Sequence, residues 1–216
     1  MRKLVVPKLS LAHHDTSVEK TVHLLQSGVK ADINQVNWKE DFPKSMPVAV
    51  TLAHDGERIY LYFEVKGEQV RAANTKDMGS VWEDSCVEFF MQRERDTGYR
   101  NFECNILGVL LGSNHASREE SERLSDDLLQ QIVRVGTTQQ RFDNGLQVCD
   151  WTMYLEIPKA AMGFAADESL EGQLLRANFY KCGDETPEPH FISWNPIDMP
   201  QPNFHVPQFF GTLELE

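Results

Sequence analysis

The chain has 216 residues, of which 41% are hydrophobic and 25% charged, a balance that fits one globular domain with a full core. Its formal net charge of −12, with no cluster of lysine or arginine to offset it, argues against a nucleic-acid partner. No window approaches the roughly eighteen apolar residues of a membrane span, so the sequence as written predicts a soluble cytoplasmic protein, or a periplasmic or secreted one if a signal was trimmed.

The first predicted element is a short helix between Thr16 and Gly28. Thr16 and Glu19 have the spacing of a capping box, and apolar residues recur at helical intervals behind them. His13 and His14 precede this segment. Adjacent side chains point in different directions on a helix or strand, so a surface pair is favoured over a metal site.

Segments typical of β-strands follow along most of the chain. Residues 48–65 form two runs rich in β-branched and aromatic residues around His54-Asp55-Gly56-Glu57, which predicts a hairpin. The polar stretch between Ser117 and Gln131 has a second capping-box spacing and is predicted to be a solvated helix or an excursion from the sheet. Further strands are predicted in SCVEFFMQ, YRNFECNILGVLLGS, IVRVGT, VCDWTMYLEIP, LLRANFYKC and FGTLELE.

Eight to ten short strands with few helices predict an all-β fold, an antiparallel β-sandwich with one or two short helices. The proline-rich segment from Asp184 to Phe210 is predicted to be a long ordered loop region, a type of segment that tends to be functional. The four cysteines lie far apart within strand-like runs and are predicted to be free, half-buried thiols. They are Cys86, Cys104, Cys149 and Cys182.

The stretch VWEDSCVEFF, residues 81–90, carries the main candidate site residues. Strand alternation places Val87, Phe89 and Met91 on the core face and Cys86, Glu88 and Phe90 on the other. Glu88 is therefore a partly desolvated carboxylate that needs a hydrogen-bond donor.

Two kinds of donor are open for Glu88. Arg100, Arg176 or Lys181 could supply it structurally, and the alternative is a ligand hydroxyl. Trp82 has two matching interpretations, a lid on the core or an exposed binding platform.

Catalytic motifs give little support for an enzyme. GxSxG, HExxH, phosphate-binding glycine loops and EF-hand spacings do not occur. Asp84 shares strand parity with Glu88, and Glu103 could lie on a neighbouring strand, so a glycosidase-like carboxylate pair is one hypothesis. With 33 acidic residues in the chain, chance placement of two acids on one face is common, which favours a non-catalytic interpretation.

Several segments in the same order resemble the family-nine carbohydrate-binding modules, and more closely their stand-alone bacterial relatives. The similarity covers about Ala31 to Glu216 and includes the hairpin at residues 48–65. The other segments that carry it are DINQVNW, VWEDSCVEFF, RANFYKCGD, FISWNPI and PNFHVPQFFGTLEL.

The resemblance implies a lectin-like β-sandwich, often attached to xylanases, that clamps a sugar between two aromatic platforms. Trp82 matches the first platform, Phe204 stands where the second is a tryptophan, and Glu88 matches an acid that holds sugar hydroxyls. Glu103 replaces a basic residue of the modules. The resemblance also implies structural calcium, although the sequence shows no convincing ligand cluster for it.

We therefore predict one domain over residues 1–216, with residues 1–30 as an N-terminal extension packed on it. The predicted function is non-catalytic sugar binding, linked to bacterial oligosaccharide or polysaccharide use. A glycoside hydrolase and a haem-binding sandwich relative, using Met and His or Lys, are the alternatives. The predicted ligand contacts are Trp82, Glu88 and Phe204, with Asn178, Tyr180 or Trp194 nearby. The sequence specifies neither the sugar nor the oligomeric state.

Overall fold

A computed structural model describes residues 1–10 and 17–216, so His13, His14 and Thr16 lie outside the described residues. The described residues form two helices, α1 (Val18–Leu25) and α2 (Asp126–Gln130). The strands are β1 (Lys3–Val6), β2 (Val29–Asp32), β3 (Gln35–Val36), β4 (Val48–His54), β5 (Arg58–Glu68), β6 (Cys86–Arg93), β7 (Tyr99–Asn105), β8 (Leu110–His115), β9 (Ser121–Arg123), β10 (Val133–Asp143), β11 (Leu146–Pro158), β12 (Leu174–Gly183), β13 (His190–Ser193) and β14 (Gly211–Leu215).

The strands form two sheets, which confirms the predicted β-sandwich. The larger sheet has the order β1-β14-β12-β6-β7-β8-β9, and β13 pairs with both β12 and β3. The smaller sheet has the order β10-β11-β5-β4-β2. Strands β1 and β14 are parallel, whereas β12 pairs antiparallel with β6, β13 and β14.

The predicted hairpin is confirmed as β4 and β5. Asp55 closes the turn by accepting hydrogen bonds from the backbone N–H groups of Glu57 and Arg58, and Gly56 supplies the positive φ of 96° that the turn requires. Every second residue of β5 then points into the core, as the alternation predicts. Ile59, Leu61 and Phe63 are fully buried there.

The space between the sheets holds the main hydrophobic core. Phe179 of the larger sheet stacks on Phe89 with ring centroids 5.4 Å apart and meets Phe63 of the smaller sheet edge-on at 6.4 Å. A buried ion pair also crosses this space, because the Lys181 ammonium donates to Glu68 at 2.9 Å. Both side chains are almost completely buried.

The N-terminal segment contacts both sheets. Strand β1 extends the larger sheet, and helix α1 packs against β4 and β5 of the smaller one. The predicted helix is confirmed, but its cap is Ser17, whose hydroxyl accepts a hydrogen bond from the N–H of Lys20 at 3.4 Å. Neither α1 nor α2 is long and apolar enough to cross a bilayer.

The segment between Ser117 and Gln131, predicted as a solvated helix or an excursion from the sheet, contains both a short strand and a short helix. Ser117 does accept a hydrogen bond from the N–H of Glu120, at 3.1 Å, but this bond closes a turn. The chain then pairs with β8 as strand β9, and α2 begins only after Ser125. The capping-box spacing therefore predicts the local hydrogen bond correctly. No helix follows it directly, because the next residues pair with β8 as strand β9.

Candidate ligand-binding site

The outer face of the larger sheet is covered by a second layer of chain. The proline-rich segment from Asp184 to Phe210 crosses this face and packs Phe191, Phe204, Phe209 and Phe210 onto it. Its course includes β13 and a short 3-10 helix at Pro207–Phe209. Between this segment and the sheet lies a cavity of about 410 Å³.

The cavity floor is formed by the alternate residues of β6, β7, β8 and β12 that point away from the core. The predicted parity of β6 is confirmed, since Val87, Phe89 and Met91 lie in the inter-sheet core and Cys86 and Phe90 lie in the outer cluster. The polar residues that line the floor are Glu88, Asn101, Glu103, Ser113, His115 and Cys182.

Two buried carboxyl groups face each other on this floor. Glu88 of β6 is the direct cross-strand partner of Glu103 of β7. Burial, with the nearby Cys182 and Glu103, raises the pKa of Glu88 well above its usual range. Burial and Asp184 raise the pKa of Glu103 to about 7, although a hydrogen bond from Asn101 acts in the opposite direction. Burial thus favours the neutral form of both groups, which can donate as well as accept hydrogen bonds, and Arg118 and Arg123 add further donors to the cavity lining.

The donors expected for Glu88 are bound elsewhere. Lys181 points into the space between the sheets and pairs with Glu68, because its parity on β12 is opposite to that of Cys182. Arg100 pairs with Asp96 at 2.9 Å, and Arg176 donates to the carbonyl of Pro207 at 2.9 Å. The group that reaches Glu88 is instead the Cys182 thiol, 2.9 Å from its carboxylate oxygen.

Aromatic rings supply the apolar walls of the cavity. Trp82 lies in a 3-10 turn at Val81–Glu83, just ahead of β6, and is 37% exposed. Its position matches the platform interpretation better than the core lid. Phe204 and Phe191 of the covering segment also line the cavity. The Phe204 ring is stacked on Tyr180 with centroids 4.1 Å apart and an interplanar angle of 6°, so one of its faces is already occupied.

Three residues predicted near the ligand do not line the cavity. Tyr180 lies beneath Phe204 and donates its hydroxyl hydrogen to the carbonyl of that residue. Asn178 binds backbone groups, accepting from the N–H of Asn195 at 2.8 Å. Trp194 packs against Phe179 in the inter-sheet core. These contacts hold the covering segment in place, so the three residues support the cavity wall without lining the cavity.

Asp84 is also outside the cavity lining. Its carboxylate is fully buried and accepts hydrogen bonds from Arg71, Asn105 and the backbone N–H groups of Ala73 and Asn74. Burial alone would raise the pKa of Asp84, but these donors together lower it. The strand parity assumed for Asp84 fails because the chain turns as a 3-10 helix just before β6. A carboxylate pair with Glu88 therefore involves Glu103 and not Asp84.

Histidines complete one wall of the cavity. Nδ1 of His205 shares a hydrogen bond with the Tyr99 hydroxyl, 2.8 Å away. The ring centroids of His205 and His115 lie 4.9 Å apart. His115 in turn contacts the Asn101 side chain at 3.1 Å. His115 and Asn101 were not among the predicted site residues, although the alternation that identified Glu103 places Asn101 on the same face of β7.

The residues that could hold a metal ion do not fit calcium. Among residues 1–10 and 17–216, the group of three or more His, Cys, Asp or Glu side chains with converging ligand atoms is Cys86, Glu88 and Cys182. Calcium takes six to eight oxygen ligands, whereas two of these three donors are sulfur. The calcium implied by the resemblance therefore has no place in this cluster.

Comparisons with known proteins agree with this architecture. Residues 19–215 match the family model for carbohydrate-binding family 9, whereas no curated protein matches the chain. A Bacteroides uniformis ATCC 8492 protein, provisionally described as carbohydrate-binding, is 38% identical over 100% of this chain and 99% of its own, with a TM-score of 0.89.

More distant solved structures share the fold. A family 9 module from Caldicellulosiruptor kristjanssonii, solved with glucose, is 12% identical with a TM-score of 0.60, covering 100% of this chain and 96% of its own. The same kind of module solved with cellotriose gives the same identity and TM-score over 94% of its length. From the match over residues 19–215 and the 38% identity to a relative of which it covers 99%, this chain belongs to carbohydrate-binding family 9.

Proposed function

We propose that the chain is a non-catalytic sugar-binding protein whose ligand occupies the cavity on the outer face of the larger sheet. The observation that carries this proposal is the combination, in one cavity of about 410 Å³, of an exposed tryptophan with buried hydrogen-bonding side chains. Ligand sites of 300–1,000 Å³ commonly pair apolar walls with a few placed polar groups. Family membership and the glucose and cellotriose found with the C. kristjanssonii module support a sugar as the ligand.

In this proposal the aromatic walls contact the C–H faces of a sugar ring. Trp82 supplies an accessible indole face. Phe204 supplies a smaller and more rigid surface, because Tyr180 holds its other side. Each aromatic contact contributes about 1 kcal/mol beyond area burial, judged from aromatic pairs, so the affinity is modest.

The two carboxyl groups supply hydrogen-bond partners for sugar hydroxyls. Glu88 and Glu103 lie side by side on the floor and have no ion pair among the described residues. A sugar hydroxyl can donate to either group, and a neighbouring pair of hydroxyls can reach both. We place this binding in bacterial oligosaccharide or polysaccharide use, and the xylanase association implied by the resemblance stays a prediction.

Isothermal titration calorimetry against mono- and oligosaccharides of the gluco- and xylo-series tests the proposal. We expect binding that Trp82→Ala abolishes with little change in melting temperature. Phe142→Ala is the matched control, because Phe142 is an exposed aromatic, 76% accessible, at the far end of the β10–β11 hairpin. The proposal is contradicted if the wild-type protein binds none of the sugars, or if the Trp82→Ala variant binds them as tightly as the wild type.

A glycoside hydrolase is the second candidate, favoured by the direct pairing of Glu88 with Glu103. The same sugar panel, assayed for release of reducing ends, distinguishes it. If the wild-type protein releases reducing ends and each of the variants Glu88→Gln and Glu103→Gln does not, the chain is a hydrolase and the binding proposal is wrong. The haem alternative has less support, since the described lining of the cavity includes His115 and His205 but neither methionine nor lysine.

A further inference from the structure

Three buried side chains converge beneath the floor of the cavity. Cys86 of β6 and Cys182 of β12 are direct partners across antiparallel strands, and Glu88 lies two residues after Cys86 on the same face. The two sulfur atoms and a Glu88 carboxylate oxygen all lie within 4.8 Å of one another. We propose that Cys86, Cys182 and Glu88 form a binding site for a thiophilic divalent cation, of which Zn²⁺ is the first candidate.

The spacing of the donor atoms suits a tetrahedral ion. Zinc binds cysteine sulfur at about 2.3 Å, so two ligands at a tetrahedral angle lie about 3.8 Å apart. Direct cross-strand partners have Cβ atoms about 4.5–5.5 Å apart, which lets both thiols turn toward one point. The Cys182 sulfur already lies 2.9 Å from the Glu88 carboxylate. Small side-chain rotations therefore complete the site without moving the strands.

The donor set selects the kind of metal. Two thiolates favour soft or borderline ions such as Zn²⁺ over Mg²⁺ and Ca²⁺, which prefer oxygen. Glu88 and Cys182 line the cavity, so the ion enters from it and keeps a fourth position open toward it. Three protein ligands with one open position is the arrangement of zinc sites that bind an exchangeable ligand.

Further acidic groups lie close to the three donors. Glu103 is the cross-strand partner of Glu88, and Asp184 lies two residues after Cys182. A metal ion binds the thiolate forms of both cysteines and so releases their protons, which makes its affinity rise with pH.

Titration of the reduced, metal-free protein with Co²⁺ alone tests the site, followed by displacement with Zn²⁺. We expect one equivalent of Co²⁺ with a thiolate-to-cobalt charge-transfer band, which Zn²⁺ removes. Cys86→Ser and Cys182→Ser should lose the band and weaken binding more than about tenfold. Histidine ligation gives no such band, so metal held by histidines elsewhere does not count in favour.

Matched variants keep the result decisive. Cys104→Ser and Cys149→Ser remove buried strand cysteines outside the cluster and should leave the band unchanged. If either cluster serine variant fails to fold, Glu88→Gln, which keeps both thiols, should still weaken Co²⁺ binding. A wild-type protein without the band, a band that survives in Cys86→Ser or Cys182→Ser, or unchanged affinity in Glu88→Gln overturns the proposal. No sugar is used, so the outcome is independent of the proposed function.

Discussion

At the scale of single residues, His205 couples the cavity wall to pH. Burial, His115 and Arg118 lower the pKa of its imidazole to about 4, and Tyr99 contacts its Nδ1. The unfolded chain holds an ordinary histidine with a pKa of about 6.5, so between these values the unfolded state binds more protons. Stability is therefore fully present above about pH 6.5 and is lost as pH falls toward 4.

The prediction is that His205→Asn flattens this dependence. Wild-type protein should lose on the order of 1–3 kcal/mol of unfolding free energy from this residue between pH 6.5 and pH 4, and the variant should lose less. Urea denaturation at both pH values measures the difference. His23→Asn, at an exposed position of α1, is the control for the substitution itself. Identical slopes for wild type and His205→Asn would show that the imidazole titrates normally.

The role of Glu88 shows what a single strand can and cannot predict. Alternation within β6 was enough to place Glu88 on the face opposite Phe89, because side-chain direction follows from a period of two. Its neighbours depend on the register with β7 and β12, which brings Glu103 and Cys182 beside it. Register is set by long-range pairing, so the sequence left a basic side chain or a ligand hydroxyl open as the donor and did not predict the Cys182 thiol.

At the scale of elements, β5 and β12 face each other across the core and are linked there by a buried ion pair. Glu68 ends β5 and accepts from Lys181 and from the indole N–H of Trp151. Glu68→Gln would leave the Lys181 ammonium buried without a counter-charge, which costs about 3–5 kcal/mol. Chemical denaturation measures the loss.

A matched change on the same strand is Glu64→Gln. Glu64 pairs with Lys30 at the surface, so its loss should cost no more than about 1 kcal/mol. The double variant Glu68→Gln with Lys181→Met should recover part of the stability, because no unpaired charge then remains. A Glu68→Gln protein as stable as Glu64→Gln would mean that water reaches Lys181.

Elements were predictable from sequence where local and long-range preferences agree. The β4–β5 hairpin has both a turn signal at Asp55-Gly56 and alternating burial, and it forms as predicted. Between Ser117 and Gln131 the only local signal was the cap spacing, with few apolar residues to fix a helix against the core. Pairing with β8 was then the stronger preference, and a long-range pairing of this kind cannot be predicted from a local sequence pattern.

At the scale of the whole molecule, the larger sheet is covered on both faces. Its inner face meets the smaller sheet, and its outer face meets the segment from Asp184 to Phe210, with the cavity left between them. The fold class was predictable because strand patterns are local. The lining of the cavity was predicted only in part, through Trp82, Glu88, Glu103 and Phe204, since the shape of the cavity depends on where a loop region crosses the sheet.

The N-terminal strand allows a sharp test of whether residues 1–30 are a detachable extension or part of the cooperative fold. Val5 and Val6 are neighbours on β1, yet Val5 is 43% exposed whereas Val6 is fully buried in the inter-sheet core. Val6→Asp places an unpaired carboxylate in that core and should cost more than about 3 kcal/mol. Val5→Asp points to solvent but faces Glu214 across the strand pair, so it should cost only about 1 kcal/mol.

Denaturation followed by tryptophan fluorescence measures both variants, because the tryptophans lie outside β1. If β1 belongs to the cooperative unit, Val6→Asp should shift the single transition to lower denaturant. An extension that detaches on its own would let Val6→Asp release β1 while the remaining transition stays at the wild-type midpoint. That outcome would separate the N-terminal segment from the domain that holds the cavity.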